Sequence, residues 1–316
     1  MIRSHKKTLV GFIPYGGLGN QLFQYAAALS LQNEGDFDLA IDLIGRARTN
    51  LEEMPEIMDF QIENISRITI RNKTDSELLK ALVELQLRIS NIGIQNRFLN
   101  LSFVRFQRLF SKFTSAIVGT KVISPRGLGW DDKLKAANKS FTLLGNFHSY
   151  LFINERVRTK LRNNLKSRNG SELIDSFALK ATDERPVAIH IRLGDYLSID
   201  ELNVVNKEYF TNAVMMIESE WPDSNYWVFT NDESLARQYL PSHLSSRIRI
   251  IPQTLNSAQT LEVMWLCDRY IISNSTFSWW GAFLSKASNP FVIAPKRWFK
   301  TMEEPKFVCP NGWIRL

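Results

Sequence analysis

Pro186-Val187-Ala188-Ile189-His190-Ile191, followed by Arg192-Leu193-Gly194-Asp195, decides how the chain is read. The apolar run predicts a strand, and the strand delivers its titratable and charged side chains at its end. In open α/β sheets that edge is where functional groups gather. Downstream the pattern keeps alternating. Helices are expected over 207–218, 234–239, 257–266 and 277–284, and strands over 226–229, 247–251, 269–272 and 291–293. Alternation of this kind predicts a parallel sheet wrapped on both faces. Upstream, a strand over 8–13 runs into Gly16-Gly17-Leu18-Gly19-Asn20-Gln21, where missing Cβ atoms permit a tight turn and close approach of a ligand. A helix over 21–31 follows, with Leu22, Tyr25, Ala26 and Leu29 on one face, and then a strand over 38–43. The Gly-Gly-x-Gly-Asn turn is short of the full dinucleotide-binding fingerprint. Residues 50–117 are less regular. They hold a helical stretch over 79–89 and a basic aromatic segment with Phe103, Arg105, Phe106, Arg108 and Phe110. A strand over 141–144 and helices over 153–164 and 171–179 lead back to Pro186.

The totals bound the function. A chain of 316 residues makes one large domain or two smaller ones, and 44% hydrophobic residues allow a sizeable core. The formal net charge of +7 favours anionic partners such as a nucleotide, a phosphorylated lipid or a membrane surface. Lysines and arginines are spread along the chain and no zinc-finger spacing occurs, so nucleic acid is not an expected partner. Cys267 and Cys309 make no disulfide framework, and Cys267 reads as a buried thiol beside Val263-Met264-Trp265-Leu266. No metal site is expected. The four histidines are dispersed, and Asp36-Phe37-Asp38 reads as an ordinary strand edge. Before the glycine turn there is no room for a secretory leader, and no apolar run is long enough to span a membrane. The expected location is cytoplasmic, with peripheral contact at the inner face of the cell membrane as an option.

Arg192 offers a rigid fork of donors suited to a diphosphate, and its charge can offset that of a departing nucleoside diphosphate. The alternative is a structural pair with Asp195. His190 reads either as a substrate contact or as a packed, hydrogen-bonded ring. Asp195 reads as a general base or as the group that aims Arg192. Gly17 and its neighbours shape a loop against a sugar, with amides from Asn20 and Gln21, or make a strand–helix turn with Asn20 as the cap. Asn274, Ser275 and Thr276, ahead of an aromatic helix, suit a phosphate, ribose or base edge, or else cap that helix. Phe277 is placed to flank a base, whereas Trp279 and Trp280 read as core. Asn231 and Asp232 meet a nucleotide or build an Asx turn. Glu262 is a candidate for ribose hydroxyls.

Taken together, Gly-Gly-Leu-Gly-Asn-Gln-Leu-Phe-Gln-Tyr at 16–25, His-Ile-Arg-Leu-Gly-Asp-Tyr at 190–196, Phe-Thr-Asn-Asp at 229–232 and Ser-Asn-Ser-Thr-Phe-Ser-Trp-Trp-Gly at 273–281 resemble the bacterial α-1,2-fucosyltransferases of glycosyltransferase family 11. The resemblance runs from near residue 8 to the C-terminus. It implies an α/β, GT-B-type enzyme with two Rossmann-like domains facing a cleft: an acceptor-side domain over 1–165 and a donor domain for the GDP-sugar over 166–316. It further implies GDP-L-fucose as donor, GDP as product, a terminal galactose 2-hydroxyl as acceptor, inversion of configuration, and no required metal or other cofactor. An acceptor that belongs to a lipid-linked surface-polysaccharide precursor such as O-antigen fits the same picture. Family members usually continue the histidine motif as His-x-Arg-Arg-x-Asp. Here Arg192 matches the first arginine, and Leu193 replaces the second. Transfer of a different nucleotide-activated sugar, or noncatalytic binding of a nucleotide or glycan, remain the alternatives.

Overall fold

The computed structural model describes residues 8–31, 37–43, 54–62, 65–70, 73–92, 99–125, 127–132, 134, 139–192 and 195–316. It divides into two compact units. The first comprises Met1–Met58, Ile62–Asn164 and Pro305–Val308, and the second Asp59–Gln61, Leu165–Glu304 and Cys309–Leu316. Phe60 belongs with the second unit because it bridges to Ser167 and stacks on Trp265, with ring centroids 5.8 Å apart.

The first unit contains β1 (Thr8–Phe12), α1 (Leu18–Leu31), β2 (Phe37–Leu43), β3 (Ile65–Ile70), α2 (Lys73–Ile92), α3 (Leu99–Val118), β4 (Lys121–Ile123), β5 (Phe141–Leu143) and α4 (Glu155–Asn164). Its sheet runs β3-β2-β1-β5-β4 with every pairing parallel. α2 and α3 pack on it through Leu79, Leu82, Val83 and Val118, joined by Phe110 and Ile117. The order reverses between β1 and β5, so the turn after β1 and the segment after β5 emerge side by side.

The second unit contains α5 (Ser171–Glu184), β6 (Val187–Ile191), α6 (Asp195–Ser198), α7 (Lys207–Glu220), β7 (Tyr226–Thr230), α8 (Glu233–Tyr239), β8 (Ile248–Ile250), α9 (Ser257–Met264), β9 (Arg269–Ile271), α10 (Thr276–Phe283), β10 (Phe291–Ala294) and β11 (Ile314–Arg315). The sheet order β8-β7-β6-β9-β10-β11, all parallel, is that of a dinucleotide-binding fold.

β6 shows how residue order becomes layer order. Successive side chains point to opposite faces. Val187, Ile189 and Ile191 join one cluster with Phe210, Ala213, Val214 and Ile217 of α7. Ala188 falls on the other face with Val263 and Met264 of α9, Ala282 of α10, Trp227 and Tyr270. Each fully buried Val or Ile contributes roughly 1.5–3 kcal/mol of transfer free energy. Because both faces are covered, the strand reads as continuous apolar sequence, and His190 is enclosed with it. Asn206 caps α7 by accepting from Tyr209 N–H, and Asn256 with Gln259 forms a capping box on α9. Gly281 has a packing reason: a Cβ there would lie 1.9 Å from Met264 Sδ, so its absence lets α10 close onto α9. Trp279 and Trp280 are buried core, as expected. Both cysteines are free, and Cys267 is buried.

Candidate active site

In the second unit the order of strands reverses between β6 and β9, and open α/β folds place their ligands just beyond such a point. His190, near the end of β6, is within 2.9 Å of Ser273 Oγ through Nδ1, a buried bond that closes the two strand ends on each other. Burial, reinforced by the Arg192 charge, pushes the His190 imidazole down to about 3. The ring is therefore neutral near neutrality. It also lies against Phe277, with ring centroids 5.7 Å apart.

Arg192 follows β6 directly and is half-buried, with its guanidinium 5.4 Å from the centre of the Tyr196 ring. Tyr196 was not singled out in the sequence, although its place four residues on from Arg192, in the short helix α6, was the available signal. Asp195 opens α6. Its side chain, like residues Leu193 and Gly194, lies outside what the structure describes.

The segment after β9 divides its labour. Asn274 is buried and gives both amide hydrogens to backbone carbonyls, Leu202 O and Trp298 O, each at 3.0 Å. Its Oδ1 is buried and unpartnered. Ser275 caps α10, accepting from Phe277 N–H at 3.3 Å, so the capping alternative holds for this residue. Thr276 and Phe277 form the first turn of that helix and are half-buried. The N-terminus of α10 thus opens beside the His190–Ser273 bond, where helix N–H groups favour an anion.

Two further candidates sit elsewhere on the unit. Asp232 caps α8 by accepting from Leu235 N–H at 2.9 Å, and Asn231 precedes it, both exposed beyond β7. Glu262 lies on α9, buried, with one carboxylate oxygen accepting Ser167 N–H at 3.0 Å and the other Ser167 O–H at 2.8 Å. In this arrangement it ties the start of the unit to α9.

The first unit carries a second constellation at its own reversal point. α1 begins at Leu18, and Gly17 O accepts from both Asn20 N–H at 2.9 Å and Gln21 N–H at 3.2 Å. This corrects the expectation that Asn20 caps the helix: the cap position is Gly17, and Asn20 is already inside the first turn. Gln21 is likewise committed to the backbone, donating to Gly16 O at 2.7 Å and accepting from Ile57 N–H at 2.9 Å. Gln24 accepts from Tyr15 N–H at 3.1 Å and donates to Tyr15 O at 3.3 Å. These amides hold the glycine turn.

Asn20 Oδ1 meets His148 Nε2 at 3.1 Å, a residue missed in the sequence. Burial pushes the His148 imidazole down to about 3, so the ring is neutral and Nε2 must carry the proton that the amide oxygen accepts. Nδ1 is then an unpartnered, buried acceptor. Phe147 just before it has φ of 58°, a left-handed conformation rare for an aromatic residue. Strain of this kind persists where surrounding structure over-determines it, often at functional sites.

The two glycines of the turn differ. Gly16 has φ of 73°, and a Cβ there would lie 2.3 Å from Asn20 Nδ2. At Gly17 the nearest atom would be Glu56 Oε2 at 3.6 Å, an ordinary contact. Gly16→Ala is therefore expected to lower thermal stability measurably, and Gly17→Ala to lower it less, through the poorer helix cap alone. A folded Gly17→Ala protein with reduced kcat/KM would place a ligand against the turn. Equal activity would free residue 17 of that role.

The model of Glycosyl transferase family 11 matches residues 130–314, more than half of the chain. The chain belongs to glycosyl transferase family 11. It is 26% identical over 315 residues to an alpha-1,2-colitosyltransferase of Escherichia coli, covering 95% of this chain and 96% of that one. It is 23% identical over 309 residues to the O-antigen biosynthesis glycosyltransferase WbnK of Escherichia coli, covering 95% and 98%. Among solved structures, E. coli ADP-heptose LPS heptosyltransferase II aligns with a TM-score of 0.50 at 9% identity, covering 98% of this chain and 90% of that one. The fucosyltransferase NodZ from Bradyrhizobium aligns with a TM-score of 0.49 at 12% identity, covering 87% and 93%. The family 11 chain is thus a glycosyltransferase of GT-B-type α/β fold that acts on a glycan acceptor. Among its described residues no group of three His, Cys, Asp or Glu is placed to hold a metal ion, and no helix is long and apolar enough to cross a membrane.

Proposed function

We propose that this glycosyltransferase moves L-fucose from GDP-L-fucose to the 2-hydroxyl of a terminal galactose in a surface-polysaccharide precursor, with inversion at the anomeric carbon. The observation that carries the reading is the position of Arg192. It follows β6 where the strand order reverses, beside the His190–Ser273 bond and the N-terminus of α10. A diphosphate at that point meets a guanidinium fork and helix N–H donors together.

On this reading the donor belongs to a domain over 166–316 and the acceptor to a domain over 1–165. The acceptor oxygen attacks C1 of the sugar while GDP leaves from the opposite face. Holding the two in line lowers the entropic part of the barrier. His190 is neutral, so the charge growing on the diphosphate falls to Arg192 rather than to an imidazolium. The same low basicity makes His190 a poor proton acceptor, which leaves Asp195 as the candidate base. Asn231, Asp232, Thr276 and Phe277 are left to meet the nucleoside. Asn274 and Glu262 act one step back, by holding the segments that carry the site. On this reading the Arg192 guanidinium takes the part a divalent metal would otherwise play at the diphosphate. The reading puts the reaction in the cytoplasm, at or near the inner face of the cell membrane.

A second donor reading has a specific basis: the 26% identical relative is named for colitosyl transfer. Colitose is fucose without its 3-hydroxyl, so the discrimination rests on whether the site hydrogen-bonds that group. The test is a donor panel of GDP-L-fucose, GDP-colitose and GDP-mannose with a set of galactosides, read as GDP release and product linkage with and without EDTA. An α-1,2-fucosyl product, unaffected by EDTA, is expected. Turnover confined to GDP-colitose would replace the donor, and ligand binding without GDP release would reduce the protein to a binding module.

A further inference from the structure

α3 buries polar side chains beside its inward apolar contacts Phe110, Ile117 and Val118, and leaves two large apolar side chains in solvent. Ser111, Thr114 and Ser115 face inward. Thr114 is fully buried and donates to Phe110 O at 2.9 Å, Ser115 Oγ accepts from Val122 N–H at 3.0 Å, and Ser111 Oγ lies 3.4 Å from Val122 O. The opposite stripe is apolar and in solvent. Leu109 is 67% exposed and Phe113, one turn on, 53%, with Lys112 and Ala116 exposed on the same side. On α2, which packs beside α3, Leu78 and Leu85 are exposed as well. The water-facing side of a helix is normally polar. The charge on α3 is of one sign: its twenty residues include Arg105, Arg108 and Lys112 and no acidic residue.

We infer that the outer face of α3, centred on Leu109, Lys112 and Phe113, docks on the surface of an anionic lipid bilayer. Apolar side chains that reach the acyl boundary, flanked by cations that meet anionic headgroups, are the two elements such binding requires. A second copy of this chain is the less fitting occupant, because two acid-free faces would repel each other. The inference deepens the proposed function only in supplying a route to a lipid-linked acceptor. Its test uses neither donor nor acceptor, so the two stand or fall separately.

The full chain is sedimented with phosphatidylcholine vesicles, with and without phosphatidylglycerol, across a salt series. Binding is expected only with phosphatidylglycerol and is expected to fall as salt rises. Leu109→Ser and Phe113→Ser should each weaken it on the order of tenfold, and Lys112→Glu should reduce the salt dependence. All three should leave turnover of a soluble galactoside at its wild-type level, which also reports that the variants fold. Three results would overturn the inference: absence of wild-type binding, binding that the serine variants leave intact, or a wild-type dimer in sedimentation velocity that they dissolve. The wild-type lipid and salt series decides the matter even should a variant misfold.

Discussion

Arg192→Ala is expected to lower kcat/KM for sugar transfer by about 10²–10³-fold, the range seen when a preorganised donor at a developing anion is removed. The effect should appear mainly in kcat, because the charge on the diphosphate grows as the glycosidic bond breaks, and an interaction stronger in the transition state acts there. Arg192→Lys should recover only part of the loss. It keeps the cation but not the planar fork that pairs two phosphate oxygens at once, and it loses stacking on Tyr196. His190 cannot substitute, since its ring stays neutral near neutrality. Arg192 is half-buried, so thermal unfolding of the alanine protein is measured beside its activity to separate lost chemistry from lost fold. A natively stable alanine variant with unchanged kcat/KM would remove Arg192 from the chemistry.

Acid should destabilise the folded protein through two histidines. His148 and His190 are each enclosed, and burial brings each from an ordinary value of 6.5 down to about 3. When the chain unfolds, both return to the ordinary value and bind protons more readily than in the fold. Stability from each group is therefore complete above about pH 6.5 and is lost as the pH falls toward 3, at up to ~1.4 kcal/mol per pH unit for each histidine. Denaturant unfolding followed between pH 7.5 and 4.5 should show this decline. In His148→Gln and His190→Asn proteins the slope should drop by up to one proton each, whatever the variants do to stability at neutral pH. Equal slopes in wild type and variants would show that these rings are not the groups being titrated. Glutamine at 148 retains a donor for Asn20 Oδ1, so that variant should also keep more activity than His148→Phe.

Much of the second unit was legible in the order of residues. β6, β7, β9 and β10 are apolar runs buried on both faces, and each ends at a polar or small-residue turn, so pattern and structure coincide. Two short edge strands were not. β4 has three residues and β11 two, and each is defined by the neighbour it pairs with rather than by its own sequence. β3, Ile-Ser-Arg-Ile-Thr-Ile, also went unread, since it is an edge strand whose irregular surroundings gave no alternating frame. Asp36, read with Phe37 and Asp38 as an ordinary strand edge rather than a metal site, lies outside the described part of the chain.

At the site, the sequence supplied residues but not partnerships. Arg192 and the serines after β9 were read as neighbours of one ligand, but the His190–Ser273 bond joins positions 83 apart. Ser167 and Glu262 are 95 apart and left no local trace. His148 was passed over because a lone histidine carries no pattern. Its pairing with Asn20 follows from the reversal of strand order and the left-handed turn at Phe147, both properties of the fold. Gln21 was read in the sequence as an amide for a sugar, and the backbone around the glycine turn claims it in the structure.

The central claim is spatial: the departing diphosphate sits against the guanidinium that follows β6. A crystal structure of the protein with GDP measures this directly. The account predicts a phosphate oxygen within about 3 Å of an Arg192 nitrogen, with the N-terminus of α10 on its other side. A diphosphate bound elsewhere on the unit, with Arg192 out of reach, would contradict it.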